Sequence, residues 1–147
     1  MVVKVVSSLI RRALNYLRFA REYFRRQNIT EVSPAEVYDQ LGKPDFHVYD
    51  CNLESFFRKN HIAGAHYIGF EKFGPEELPS NKNAHLVFYC MCHLCFASNM
   101  AARRAHELGY RRVSVMPKGT LGWKAAGYPL VSAAGQEAAT HEEAVPL

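Results

Sequence analysis

Apolar positions recur at helical spacing along the first part of the chain. No Gly or Pro interrupts residues 2–26, and arginines recur every seven residues on the side opposite the apolar stripe, at 11, 18 and 25. The apolar positions alternate steps of three and four: Val3, Val6, Ile10, Ala13, Leu17, Ala20 and Phe24. Since this spacing keeps one face of a helix apolar, the pattern predicts that residues 1–28 form a basic amphipathic helix.

A different pattern follows, in which short apolar runs alternate with short helical segments. The run His85–Tyr89 is continuously apolar after its first residue, which is typical of a strand buried on both faces. His47–Asp50 and Arg112–Met116 are shorter runs of the same kind. Helical segments separate them, so residues 29–131 are predicted to form one α/β domain with a mainly parallel sheet. The Ala-rich residues 132–147 are predicted to be a disordered tail.

Local signals mark where the predicted helices begin and end. Ser33, Pro34 and Glu36 have the spacing of a capping box with proline in the first turn, so a helix is expected to start there. A later helix begins at Ala97 or Ser98 and is expected to end at Gly109, because glycine readily adopts the left-handed conformation that closes a helix.

Length and composition restrict the class of protein. The chain has 147 residues, of which 48% are hydrophobic and 22% charged, and this is typical of one globular domain. Its net charge of +4 is concentrated at one end, because residues 1–28 contain seven Lys or Arg and one Glu. The basic character is therefore local, and no nucleic-acid partner is expected.

The predicted basic helix has three interpretations. It packs on its own domain, pairs with a second copy in a homo-oligomer, or lies on an anionic membrane surface. A membrane-spanning segment is excluded because Arg11, Arg12 and Arg18 interrupt every long apolar window. The apolar stretch also lacks the charge order and small-residue site of a cleavable signal peptide. We therefore expect a cytoplasmic protein, membrane-associated under the third interpretation.

Three of the four cysteines fall within six residues, directly after the predicted buried strand. Cys90, Cys92 and Cys95 lie between this strand and the next helix, whereas Cys51 is expected to be a small buried hydrophobic residue. The backbone N–H groups of such a loop and the helix dipole favour an anion. We therefore expect a lowered thiol pKa and a nucleophilic thiolate in this loop.

Five blocks in this order resemble a single-domain rhodanese, over about residues 29–131. The blocks are Asp50 with His61-Ile62-Ala63-Gly64-Ala65, then Val87–Cys90, then Ser98-x-x-Ala101-Ala102, then Leu108-Gly109-Tyr110, and finally Gly119-x-x-Gly122-Trp123-x-x-Ala126-Gly127-Tyr128-Pro129. The resemblance implies a five-stranded parallel sheet flanked by helices, here preceded by one amphipathic helix. It also implies a sulfurtransferase of the thiosulfate sulfurtransferase type, without a metal or cofactor.

The family's reaction, carried over by resemblance, moves sulfane sulfur through a cysteine persulfide in this loop. The donor would be a small sulfur-containing compound such as thiosulfate, mercaptopyruvate or polysulfide, and the acceptor a thiol or cyanide. Counted from the strand, Cys90 takes the nucleophile position, whereas counted back from the helix start Cys92 does. We favour Cys90 because strand ends are rigid, and Cys95 remains a third alternative.

Other residues are given supporting roles. Asp50 and His61 are expected to brace the site, and Trp123 and Tyr128 to pack in the core. The substrate anion would be held by backbone amides of the loop residues, which are Met91, Cys92, His93, Leu94, Cys95 and Phe96.

The chain departs from the family pattern around the site. The stretch Cys90–Asn99 contains no Lys, Arg or Gly, so His93 is its one group that could become positively charged near neutral pH. Asn52 and Phe56 replace the usual Arg and Glu, and Lys118 replaces a glycine. These departures weaken the expectation of efficient thiosulfate turnover.

Two alternative functions follow from the same residues. Cys92 and Cys95 form a Cys-x-x-Cys pair directly before a helix, which indicates thiol redox chemistry or a persulfide relay. A catalytically weak binding module on the same fold is the other alternative. A metal site is not expected, because one short segment wraps a tetrahedral ion poorly.

Overall fold

The computed structural model describes residues 7, 10–18, 29–69, 72–92 and 94–135. Residues 10–18 are helical (α1), which confirms an N-terminal helix within the predicted segment. The remainder of that predicted helix lies almost entirely outside the described residues. The predicted tail is described only as far as residue 135.

Helices and strands alternate through the rest of the chain. The helices are α2 (Pro34–Gln40), α3 (Glu54–Lys59), α4 (Ala97–Glu107) and α5 (Gly119–Ala125), with a 3₁₀ turn at Pro75–Glu77. The strands are β1 (Ile29–Glu31), β2 (Phe46–Asp50), β3 (His61–Ile62), β4 (His66–Tyr67), β5 (His85–Tyr89), β6 (Arg112–Val115) and β7 (Leu130–Val131).

Five strands form one parallel sheet in the order β1-β6-β5-β2-β4, which confirms the predicted architecture. Strand β5 is central, and its neighbour β2 pairs with it in register, with Asp50 opposite Tyr89. Because all strands run the same way, their carboxyl ends meet at one edge. Strands β3 and β7 form a separate antiparallel pair that the sequence did not predict.

The alternation of side chains along β5 divides the core into two layers. Leu86, Phe88 and Cys90 pack on one face of the sheet, together with apolar residues of α4. Val87 and Tyr89 pack on the other face, with Trp123 of α5 among their neighbours. The residue that follows β5 therefore has its side-chain direction fixed by the strand.

The helix ends follow the local signals in the sequence. The Ser33 hydroxyl accepts a hydrogen bond from the backbone N–H of Glu36, whose carboxylate in turn accepts one from the Ser33 N–H, so the capping box is formed. Gly109 follows α4 with a φ of +96°, as expected for the residue that closes a helix.

Helix α1 touches the domain through an aromatic contact. The ring of Tyr16 meets that of Phe96 edge to face, with 4.9 Å between ring centroids. Ile10, Leu14 and Tyr16 nevertheless each keep 54% of their surface exposed. Within the ranges that the structure describes, no helix is long and apolar enough to cross a membrane.

The capping box gives a direct test of how α2 is stabilised. Replacing Ser33 by Ala removes the acceptor for the Glu36 N–H and should lower the free energy of unfolding by about 1 kcal/mol. Chemical denaturation measures this change. Ser80→Ala, at an exposed position outside any helix or strand, is the matched control and should change stability by less than about 0.5 kcal/mol. Equal effects of the two substitutions would contradict the role of the cap.

Candidate active site

Cys90 directly follows the central strand β5 and is almost completely buried, with 2% of its surface exposed. Its Sγ lies 3.4 Å from the carbonyl oxygen of Cys95 and 3.7 Å from that of Cys92. The hydroxyl of Ser98, in the first turn of α4, lies 3.5 Å away. The thiol thus lies between the loop backbone and the start of α4.

These surroundings raise the pKa of the Cys90 thiol to about 11. Burial is the largest cause, and a hydrogen bond with the Cys95 side chain raises the pKa further. Hydrogen bonds from the Ser98 hydroxyl and backbone N–H lower the pKa, but by less than burial and Cys95 raise it. The lowered pKa expected from the sequence is therefore wrong, because the fold buries the sulfur and only Ser98 supplies donors that lower its pKa.

The first turn of α5 holds the backbone of Cys90 in place. The backbone N–H of Thr120 donates to the Cys90 carbonyl oxygen at 2.8 Å, and its hydroxyl donates to the same oxygen at 3.2 Å. The N–H of Leu121 donates to the carbonyl of Met91 at 3.0 Å. Gly119, with a φ of +57°, allows this approach, since a Cβ there would lie 2.6 Å from the Met91 carbonyl carbon.

Asp50 lies at the end of the neighbouring strand and is completely buried. Its carboxylate accepts hydrogen bonds from the Tyr89 hydroxyl at 2.6 Å and from the backbone N–H of Asn52 at 2.8 Å. Burial raises the pKa of Asp50, and these hydrogen bonds partly oppose that shift. The Asn52 side chain then donates to the Thr120 hydroxyl at 3.3 Å. Asp50 is thus linked to the Cys90 backbone through Asn52 and Thr120.

His61, Trp123 and Tyr128 contact residues of the loops around the sheet edge. The His61 ring hydrogen-bonds through Nδ1 to the Phe57 carbonyl oxygen at 2.7 Å and stacks on the Phe57 ring. Trp123 donates through its indole N–H to the Pro129 carbonyl and packs against Tyr128. These contacts brace the loops that surround the sheet edge.

The four cysteines lie at different depths. Cys51 is buried, and burial raises the pKa of its thiol well above the usual value. Cys92 and Cys95 are partly exposed, and a turn is closed by the Cys95 N–H donating to the Cys92 carbonyl at 3.0 Å. Cys95 packs against the same apolar cluster as Cys51 and Cys90. His93 lies outside the described residues.

A cavity of about 440 Å³ opens beside the site. Met91 lines it, together with Thr120 and Leu121 of α5, and Lys124 adds a positive charge. The remaining lining residues are Asn52, Phe56, Asn60, Tyr128, Pro129 and Leu130. Cys90 is not among them, because its side chain points to the opposite face of the sheet. No group of three or more His, Cys, Asp or Glu within the described ranges is arranged to hold a metal ion.

Several contacts around Cys90 are not evident from the sequence. The sequence marks Ser98 as a helix start, but its position at the sulfur depends on how the loop folds. Gly119 belongs to a sequence block that predicts no role for it, although a glycine before a helix is a usable signal for close backbone approach. The link through Thr120 has no sequence signal, since threonine is common on surfaces.

Fold and site together define an α/β domain with a cysteine at the carboxyl end of its central parallel strand. The family model for the Rhodanese-like domain matches residues 33–126. The chain therefore belongs to the rhodanese-like domain family. A search of curated proteins found no significant sequence match.

Solved structures agree with this fold. A protein from Bacillus halodurans is 19% identical, with a TM-score of 0.66 over 80% of this chain and 88% of the other. The thiosulfate sulfurtransferase of Pseudomonas aeruginosa is 26% identical, with a TM-score of 0.63 over 74% of this chain and 20% of the other. The 3-mercaptopyruvate sulfotransferase of Escherichia coli is 19% identical, with a TM-score of 0.59 over 71% of this chain and 52% of the other.

The close approach at Gly119 can be tested against a second glycine of similar backbone conformation. Gly127 has a φ of +84°, and a Cβ added there would have nothing within 4 Å, so Gly127→Ala should cost only the backbone strain of about 1–2 kcal/mol. Gly119→Ala adds a clash with the Cys90–Met91 backbone and should cost about 1–3 kcal/mol more. Urea unfolding of both variants measures the difference. Equal losses would show that α5 does not hold Cys90 in this way.

Proposed function

We propose that this chain is a sulfurtransferase that carries sulfane sulfur as a persulfide on Cys90. The observation that supports this choice is the backbone attachment of Cys90 to β5 and to Thr120, two contacts made outside the loop that follows. Catalytic groups work best on such rigid supports. The family assignment supports the reaction class, together with neighbours named as a thiosulfate sulfurtransferase and a 3-mercaptopyruvate sulfotransferase.

The proposed reaction has two nucleophilic steps. The Cys90 thiolate attacks the transferable sulfur of the donor, which is sulfane sulfur in thiosulfate or polysulfide and the thiol sulfur in mercaptopyruvate, whose pyruvate part leaves as the enolate. A sulfur–sulfur bond forms, and the rest of the donor leaves with the electron pair of the broken bond, as sulfite in the case of thiosulfate. In the second step a thiol or cyanide attacks the outer sulfur of the persulfide, and the Cys90 thiolate is released.

Ser98 is the group best placed to help both steps. Its hydroxyl lies 3.5 Å from Sγ, and both this hydroxyl and its backbone N–H favour the thiolate. Because Ser98 belongs to the first turn of α4, the positive end of the helix dipole adds to this stabilisation. The loop has no Lys or Arg, and the positive end of the helix dipole partly replaces the positive charge that such a side chain would provide.

Burial limits how readily the donor reaches the thiol. Only 2% of Cys90 is exposed, and the adjacent cavity opens on the other face of the sheet. The donor therefore reaches Cys90 once the backbone of Cys92 and Cys95 moves away from the sulfur. We expect a slow enzyme, since this movement and the loss of the thiol proton both precede attack.

The choice of nucleophile is tested by thiocyanate formation from cyanide with each of the three donors. Cys90→Ser should reduce the rate to that of the buffer, because serine does not form a persulfide. Cys92→Ser should retain most of the wild-type rate, since Cys92 meets the Cys90 thiol through its backbone carbonyl. Activity that survives Cys90→Ser and disappears in Cys92→Ser would assign the nucleophile to Cys92. No thiocyanate from any donor would favour the binding module instead.

The raised thiol pKa predicts a distinctive pH dependence. Because the pKa of Cys90 lies near 11, the thiolate fraction should rise about tenfold per pH unit between pH 7 and 9. The initial rate of donor consumption at low donor concentration should rise in parallel, after subtraction of the Cys90→Ser rate. A rate that stays constant over this range would mean that the thiol is already ionised and that its pKa is lowered.

A further inference from the structure

The thiol of Cys90 has a second thiol directly beside it. The Cys95 carbonyl oxygen lies 3.4 Å from the Cys90 Sγ, and the Cys95 side chain interacts with the Cys90 thiol and raises its pKa. The Cys95 side chain packs on the same apolar cluster as Cys90. The turn that brings Cys95 back is closed by the hydrogen bond from its N–H to the Cys92 carbonyl. The loop therefore holds two thiols together at the end of the central strand.

The same loop is poorly suited to keep a charged persulfide on Cys90. Two carbonyl oxygens, those of Cys92 and Cys95, face the sulfur, and their partial negative charge repels an anion. The Cys95 N–H, which would attract an anion, is already used within the turn. A persulfide formed here is therefore expected to react onward quickly when a nucleophile is near.

We propose that Cys95 is a resolving cysteine, which attacks the Cys90 persulfide to form a Cys90–Cys95 disulfide and release sulfide. This inference rests on the proposed persulfide at Cys90. It adds an internal acceptor, so that the chain reduces sulfane sulfur to sulfide when no external acceptor intervenes. The pair differs from the Cys92–Cys95 pair that the sequence indicated.

The step balances without another reactant. The Cys95 sulfur attacks the Cys90 Sγ, a bond forms between these two atoms, and the bond from Cys90 to the outer sulfur breaks. The outer sulfur leaves as hydrosulfide with the electron pair and, overall, with the proton of Cys95. The two cysteine sulfurs are together oxidised by two electrons, and the sulfane sulfur is reduced by two.

The other two cysteines fit this role less well. Cys51 is as buried as Cys90, with 2% of its surface exposed, so neither sulfur of a Cys51–Cys90 disulfide would be open to an external reductant. Cys92 meets the Cys90 sulfur through its carbonyl oxygen, and its side chain is not part of the apolar cluster that contains Cys90. Cys95 both contacts the Cys90 sulfur and is partly exposed to solvent.

Partial exposure of Cys95 also explains how the disulfide would be reopened. An external dithiol reductant reaches the Cys95 sulfur more easily than the buried Cys90 sulfur. Attack there forms a mixed disulfide with Cys95 and releases Cys90 as the leaving thiolate. A second thiol of the reductant then frees Cys95, and the reductant is oxidised to its own disulfide.

The test is the intact mass of the full chain after anaerobic incubation with the donor that supports thiocyanate formation, without cyanide or added thiol. Wild type should lose ~2 Da, as a disulfide requires, and release about one sulfide per chain. Cys95→Ser should instead keep a gain of ~32 Da, because its persulfide has no internal acceptor. Cys92→Ser should form the same disulfide as wild type. Chains incubated without donor should stay reduced.

The outcomes separate this inference from the proposed function. A stable gain of ~32 Da in wild type would overturn the role of Cys95 and leave Cys90 as a sulfur carrier. Loss of ~2 Da in Cys95→Ser as well would assign the resolving role to another cysteine and also overturn it. If neither chain changes mass with any donor, the sulfurtransferase proposal fails together with the inference. A circular dichroism spectrum and a urea unfolding midpoint of Cys95→Ser that match those of wild type show that this variant is folded.

Discussion

The site depends on the attachment of the Cys90 backbone to the first turn of α5. Thr120 donates two hydrogen bonds to the Cys90 carbonyl, and Gly119 lacks the Cβ that would prevent this approach. The attachment joins the end of the central strand to a helix on the opposite side of the sheet from α4. The Cys90 backbone is therefore held by contacts with a residue outside the following loop.

The surroundings of the Cys90 thiol are unusual for a nucleophilic cysteine. Burial and the neighbouring Cys95 side chain raise the pKa of the Cys90 thiol, and only Ser98 opposes them. The Cys90 thiol is therefore mostly protonated near neutral pH, and the site holds a persulfide anion weakly. A persulfide that is weakly stabilised and lies beside a thiol is readily converted into a disulfide. The close approach of Cys95 therefore favours disulfide formation over storage of the persulfide. The absence of Lys and Arg from residues 90–99 agrees with an internal acceptor that is uncharged.

Much of the fold could be predicted from the sequence, because its signals are local. The apolar run His85–Tyr89 marked the central strand, and the capping box at Ser33 marked the start of α2. The antiparallel pair β3–β7 escaped prediction since each strand has only two residues. The direction of the Cys90 pKa shift was predicted wrongly. It depends mainly on how deeply the fold buries the sulfur, and residue types alone do not determine that depth.

The most direct test of the account is to locate the transferred sulfur by tandem mass spectrometry of peptides from donor-treated Cys95→Ser protein, after alkylation of its thiols. The fixed position of Cys90 predicts that the additional sulfur is found on Cys90. Additional sulfur on Cys92 or Cys51, with Cys90 alkylated only on its own sulfur, would contradict the central claim that the residue held by α5 is the sulfur carrier.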